Sequence, residues 1–436
     1  RSCADIADIA EAGHCIMSVA TMFTGVTERI AAKLPWRSDG RSASMRPLSS
    51  SGGALAEFDV ALVWVVAFLV AIGLLMVYSS SIASASESRF TRGSASYFLL
   101  RQCMFVVIGA VLALFVFDTS LRTWERVAPI VFIVACVLIV AVLIPGIGRK
   151  VNGARRWIPL GPFSLQPSEL MKFAMILFAA RYAVTKAAVI HAAQPIKQSL
   201  VNGLGPFLLI ALAVSVVLLR EPDFGATLVV LSTGLLILFM AGLDHRLVLP
   251  VVVVGLVAAV ALVWFEPYRL ERFFGFIDPW KEEFGSGYQL TQSLMAIGRG
   301  GVFGLGLGAG VSKHYYLPEA HTDFILAVTA EELGLLGVAV VIGAYAWLTW
   351  RAFAIGREAR RLEQPFAALV AQGIGTLFGI QSLINIAVNM GFAPTKGLTL
   401  PLMSYGGSGM IASLVTLSVL LRIDWENRRL ERGFKV

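Results

Sequence analysis

VALVWVVAFLVAIGLLMV (60–77) and LVLPVVVVGLVAAVALVW (247–264) carry no charged side chain and are apolar on every face. A surface helix of a water-soluble protein keeps one polar face, and a β-barrel strand alternates within roughly ten residues. An unbroken apolar surface of about 20 residues is what a helix needs to cross a bilayer. Hydrocarbon forces each spanning segment to satisfy its own backbone hydrogen bonds. The two runs therefore predict transmembrane helices and an all-α fold, a polytopic membrane helical bundle.

The pattern recurs along the chain and predicts about ten spans, at 59–79, 99–117, 128–145, 165–184, 204–219, 225–242, 247–265, 322–349, 366–389 and 399–421. Composition agrees: of 436 residues 57% are hydrophobic and 15% charged, and mean hydropathy is +0.76. This makes a bilayer the solvent. The net charge of +8 sits in short clusters between apolar runs, which is topogenic charge and points to no nucleic acid partner. Cys3, Cys15, Cys103 and Cys136 show no CxxC or Cys/His ligand spacing, so no zinc site is expected.

Residues 1–58 hold no sustained apolar run, do not begin with Met and end in a Ser/Gly/Arg-rich stretch. They read as a flexible cytoplasmic tail, with Met45 a plausible start. The spanning domain is expected at 59–425 and a basic cytoplasmic tail at 426–436. An even span number puts both termini on one side. Arg351, Arg357, Arg360 and Arg361 after the eighth span, and Arg422, Arg428, Arg429, Arg432 and Lys435 after the tenth, make that side the cytoplasm.

In this orientation 146–163, GIGRKVNGARRWIPLGPF, is external yet carries Arg149, Lys150, Arg155 and Arg156, against the topogenic rule. The large external loop 266–321 contains GRGGVFGLGLGAG, too glycine-rich for a continuous helix and expected to form loop or re-entrant structure. It lacks a strand-borne GxGxxG, which argues against a dinucleotide site.

Ionisable groups inside a span cost a few kcal/mol, so each is a functional candidate. Glu169 and Lys172 share a helix face in SLQPSELMKFAMILF. They read either as a self-neutralising structural pair or, with Arg155, Arg156 and Trp157, as part of a cationic pocket for a pyrophosphate. Trp157 alone also suits an interfacial anchor. Asp223 in REPDFG is a helix N-cap or a site residue. In YLPEAHTDFILAV, Thr322 or Asp323 can cap the next helix. Alternatively Asp323, beside Glu319 and His321 where a long loop meets the membrane, is a desolvated carboxylate suited to general-base work. Gln381, Asn385 and Asn389 form a polar stripe that either joins helices or lines a cavity. Lys396, in PTKGLTLPLMSYGGSG, is a snorkelling lysine or a second phosphate contact.

NGARRWIPLGPFSLQPSELMK, REPDFG, GYQLTQSLMAIGRGG, YLPEAHTDFI, EELG and PTKGLTLPLMSYGGSG, in this order over roughly 59–425, resemble the SEDS (shape, elongation, division and sporulation) family. EPDFG, KHYYLPEAHTDFI and PLMSYGGS look closer to its division branch than to its elongation branch. The resemblance implies a peptidoglycan glycosyltransferase of the bacterial inner membrane at the division septum. Its substrate would be lipid II, with undecaprenyl pyrophosphate as leaving group. It further implies a class B penicillin-binding protein and other division-complex membrane proteins as partners. The family's catalytic aspartate falls on Asp323, and its Glu, Lys and basic positions fall on Glu169, Lys172, Arg156 and Lys396. Arg155, Trp157, Asp223, His321 and Ser404 complete the expected substrate contacts, and a divalent cation (Mg or Mn) is a further expectation. Gly409 stands where the division proteins often have Ser. The rival functions are a lipid II flippase, a non-enzymatic scaffold and, within the family, an elongation-type polymerase. A flippase needs access from both faces, whereas the unusual charges gather at the outer one.

Overall fold

A computed structural model describes residues 58–87, 93–151, 153–161, 163–190, 196–265, 267–314, 316–395 and 397–434. The expected N-terminal tail, apart from Phe58, and Lys396 lie outside them. Twelve helices concern the argument: α1 Val60–Glu87, α2 Tyr97–Phe117, α3 Leu121–Ala141, α4 Pro167–Thr185, α5 Gly205–Arg220, α6 Phe224–Met240, α7 His245–Trp264, α8 Pro267–Ile277, α9 Tyr288–Gly300, α10 Ile325–Arg361, α11 Pro365–Asn389 and α12 Gly407–Glu431. Among the described residues eight helices are long and apolar enough to cross a membrane. Two more, α4 and α6, complete the set of ten that overlap the expected spans. α4 carries Glu169, Lys172 and Arg181, and α6 is only 17 residues long.

The interior is built by α10 on α11, α12 on α2, α3 on α4 and α4 on α6. α11 is the most enclosed of the spans, and α7 is almost wholly on the outside. Val253, Val254, Leu256, Val257 and Val260 of α7 are exposed, as suits side chains that face lipid.

Several expected boundaries move, each for a physical reason. The tenth span begins at Gly407, not at 399, because 397–406 spends its polar groups on α11 and on its own turn. The carbonyls of Leu398 and Thr399 accept from Asn385 and Gln381, and Leu400 N–H donates to Ser404 Oγ. α12 then runs to Glu431, into the expected basic tail, carried by the i,i+4 pairs Arg422–Glu426 and Arg428–Asp424. The arginines after the eighth span are likewise helical, since α10 reaches Arg361. Arg351 there pairs with Asp59 and Asp424. The loop 266–321 is not unstructured throughout, because it holds α8 and α9.

The all-α reading has one addition. The basic loop 146–163 folds as an antiparallel sheet in the order β1 Arg149–Val151, β2 Ala154–Leu160, β3 Phe163–Leu165. The sheet lies at the end of the bundle where α4 and α12 begin, since Ser408 Oγ donates to Ser164 O and accepts from Gln166 N–H. The Arg351–Asp59–Asp424 cluster marks the other end.

Candidate active site

Asp323 does not cap α10. The helix starts at Ile325, its N-cap is Phe324 and no side chain caps it. Thr322 is no cap either, for its hydroxyl donates to Glu319 Oε2 at 2.7 Å. The backbone around Asp323 is instead fixed from two sides. From α11, Asn385 and Asn389 donate through Nδ2 to Asp323 O at 3.0 and 3.1 Å, and Asn389 Oδ1 accepts from Ala327 N–H. From the loop before α12, Ser404 Oγ donates to Thr322 O at 2.6 Å and Tyr405 N–H to His321 O at 2.9 Å. Gln102 of α2 holds that loop in turn, donating to Ser404 O and accepting from Gly406 N–H.

The polar stripe thus joins helices, and what it joins is the segment that carries the acid. Burial and the neighbouring Glu319 carboxylate push the Asp323 carboxyl up to about 7, with Asp223 adding to the rise. The cations of Arg156 and Arg272 oppose the shift. A carboxyl poised there is half ionised near neutral pH, which suits a general base.

Arg156 reaches the same place from β2. Side chains alternate along a strand, so Arg156 points to one face of the sheet while Arg155 and Trp157 point to the other. Arg156 Nε donates to Glu221 O at 3.0 Å and Nη2 to Pro222 O, which anchors the guanidinium on the α5–α6 turn. A Cβ added to Gly397 would stand 3.5 Å from Asp323 Oδ2 and 4.0 Å from Arg156 Nη1. Acid and cation therefore both border the space beside one glycine. Arg155 goes elsewhere and donates to Leu143 O. Of the three residues expected together, Arg156 is the one these contacts bring beside Asp323.

Asp223 fills the expected cap role. Its Oδ1 accepts from Ala226 N–H as the N-cap of α6, and its Oδ2 accepts from Ser168 Oγ at 3.0 Å. Lys172 is buried and donates to Glu169 at 2.8 Å and to Gln381 Oε1 at 2.9 Å. Glu169, Gln381, Ser404 and Gly409 line a narrow cavity beside this pair. A Cβ on Gly409 would meet Glu169 Oε2 at an ordinary 3.6 Å, so a Ser fits there. His321 packs against Phe98 and Tyr405, with ring centroids 4.7 and 5.6 Å away. Burial pushes its pKa down, against the pull of Glu319, so the ring is neutral packing at pH 7.

Two site residues escape the sequence reading. Arg272 of α8 acts on Asp323 across a long sequence gap, and no local pattern announces it. Glu221 adjoins Asp223, but its special feature is tertiary: the carboxyl is fully buried without a hydrogen-bond partner. Burial, with Asp223 beside it, pushes it up to about 8. Among the described residues no group of three or more His, Cys, Asp or Glu side chains is placed to hold a metal ion. The expected divalent cation therefore finds no protein ligand set among them.

Residues 60–429 match the cell cycle protein family of FtsW, RodA and SpoVE. A probable peptidoglycan glycosyltransferase FtsW of Aromatoleum aromaticum is 52% identical over 389 residues, covering 89% of this chain and 92% of that protein. The Neisseria gonorrhoeae protein of the same name is 44% identical over 420 residues, covering 90% and 89%. Among solved structures, a chain of a peptidoglycan synthase complex that coordinates polymerization and crosslinking superposes with a TM-score of 0.69 at 30% identity. It covers 85% of this chain and 98% of that one. The rod shape determining protein RodA of Thermus thermophilus superposes at 0.60 and 30% identity, covering 84% and 96%.

Proposed function

This chain belongs to the cell cycle protein family of FtsW, RodA and SpoVE, and from that premise we propose how it acts as a peptidoglycan glycosyltransferase with Asp323 as general base. The substrate is lipid II. The 4-hydroxyl of an acceptor GlcNAc attacks the anomeric carbon of a donor MurNAc, and undecaprenyl pyrophosphate departs. Direct displacement inverts the α-linked donor to a β-linked strand. The pyrophosphate leaves as an anion and needs no acid, so one base suffices.

The observation that carries this reading is that a desolvated carboxyl and the Arg156 guanidinium both border Gly397. Asp323 takes the hydroxyl proton, and Arg156 stabilises charge as it develops on the pyrophosphate. Lys172, held by Glu169 and Gln381, adds positive charge one layer deeper, and Lys396 is a further candidate phosphate contact.

In the same reading the sheet end of the bundle is extracytoplasmic, both termini are cytoplasmic, and the protein works at the division septum. A class B penicillin-binding protein crosslinks the strand it makes. The likeness to a chain from a complex that couples polymerization to crosslinking supports that pairing.

Asp323→Asn tests the assignment. Asn keeps the size but accepts no proton as a base, and no cap is lost because Asp323 caps nothing. In detergent micelles supplied with lipid II, the variant should fold and yet lose roughly 10²-fold or more in polymer formation. There is no membrane to cross in micelles, so polymer from the wild type also separates the enzyme from a flippase or scaffold. Near-normal polymer from Asp323→Asn sinks the assignment.

A further inference from the structure

After α9 the chain 301–313 returns to α10 where that helix is broken. Gly334 sits at φ +68° inside α10, and the break frees carbonyls that a regular helix would use. Glu331 O and Glu332 O accept from Leu305 and Gly306 N–H at 3.0 and 3.1 Å, while Leu335 N–H donates to Gly301 O at 2.9 Å. A Cβ on Gly304 would come 2.1 Å from Glu332 O, so only glycine allows this approach.

Two buried carboxylates complete the attachment. Glu331 accepts from Val311 and Ser312 N–H. Glu332 accepts from Gly308 N–H at 2.9 Å, from Ser79 Oγ at 2.6 Å and from Lys313 Nζ at 2.8 Å. Lys313 donates also to Gly308 O and Ser79 Oγ at 2.8 and 2.9 Å. Lys313 and Glu332 are buried, and the chemistry proposed above uses neither. A buried pair of this kind is weak evidence for stability, since apolar replacement is often neutral; its better-supported use is to specify one arrangement. Here that arrangement joins α1 through Ser79, the glycine-rich loop through Lys313 and α10 through Glu332. Asp323 lies on the chain between Lys313 and Glu332, so both ends of the arch that bears the acid are tied to one point.

We propose that the Ser79–Lys313–Glu332 cluster positions Asp323, acting through the arch 313–332 and not through contact with substrate. The proposal rests on Asp323 being the base. Loss of the cluster lets the arch relax, which misplaces the carboxylate and admits water to it.

The test uses the full chain in detergent micelles with lipid II and compares Lys313→Met/Glu332→Gln with wild type. The double variant removes both charges and strands neither. It should unfold at a similar temperature and keep KM within about 2-fold, yet lose roughly 10-fold or more in kcat, as small misplacements of catalytic groups do. The acid limb of its pH–rate profile should also move to lower pH as Asp323 hydrates. Ser79→Ala, which keeps both charges, should show the same signs more weakly and serves if the double variant does not fold. Lys313→Arg should retain activity. Wild-type kcat and an unmoved acid limb in the double variant, or in Ser79→Ala where the double does not fold, would overturn the proposal and leave the cluster a fold element. Asp323→Asn run alongside separates the two claims. If it is active, the base assignment falls and takes this proposal with it; if it is inactive while the cluster variants are normal, this proposal alone falls.

Discussion

Asn389 donates its side-chain amide to the carbonyl oxygen of Asp323 at 3.1 Å and accepts from Ala327 N–H at 3.1 Å. One side chain of α11 thus satisfies backbone groups on both sides of the start of α10. Asn389→Leu keeps the bulk and removes both bonds, at about 0.5–1.5 kcal/mol each, since Asn385 still donates to Asp323 O and Phe324 O still accepts from Ala327 N–H. The expected outcome is a lower unfolding temperature together with a fall in kcat. Asn385→Ala should cost at least as much, because Asn389 still donates to Asp323 O but Leu398 O loses its side-chain donor. Thermal unfolding and polymer assays on the two variants would check the ranking; a harmless Asn389→Leu would contradict it.

The Asp323 environment sets a pH dependence with a definite sign. The base acts when ionised, so polymerisation should be lost as pH falls through about 7. Glu319 raises the carboxyl pKa and Arg156 lowers it, so the two variants should move the limb in opposite directions. Glu319→Gln should carry it to lower pH and Arg156→Ala to higher pH. Arg156→Ala should also weaken use of limiting lipid II. Arg155→Ala, on the other face of β2, should leave the limb in place. Initial rates at saturating lipid II across pH 5 to 9 would read all three, and a common shift would refute the geometry.

Glu221 supplies a stability test. Burial raises its pKa from 4.5 to about 8, so the folded state keeps a proton that the unfolded chain releases at lower pH. Stability linked to this group is full below the unfolded value, declines as pH rises between the two values and is gone above about 8. Glu221→Gln cannot release that proton. Between pH 5.5 and 8.5 the unfolding temperature of the wild type should therefore fall more than that of the variant. Parallel curves would show that Glu221 ionises in the folded protein at its ordinary pKa.

The positions of the spans, though not their ends, and the helical class could be read from local sequence because hydrocarbon penalises each residue by its own polarity, a sum that needs no knowledge of neighbours. The same penalty made Glu169, Lys172 and Asp323 conspicuous, and helical period alone placed Gln381, Asn385 and Asn389 on one face. The strand at 154–160 was less legible, for basic residues and a proline obscure its alternation, and with it went the separation of Arg156 from Arg155. What only the tertiary structure decided is which groups meet. The carbonyl of Asp323 meets Asn389 and Ser79 meets Glu332 across long stretches of chain. Asp323, Arg156 and Arg272 converge from the turn before α10, a sheet and α8. Such pairings depend on distance and shared burial, which helix packing sets, and those two quantities turn an ordinary carboxylate into one poised near neutral pH.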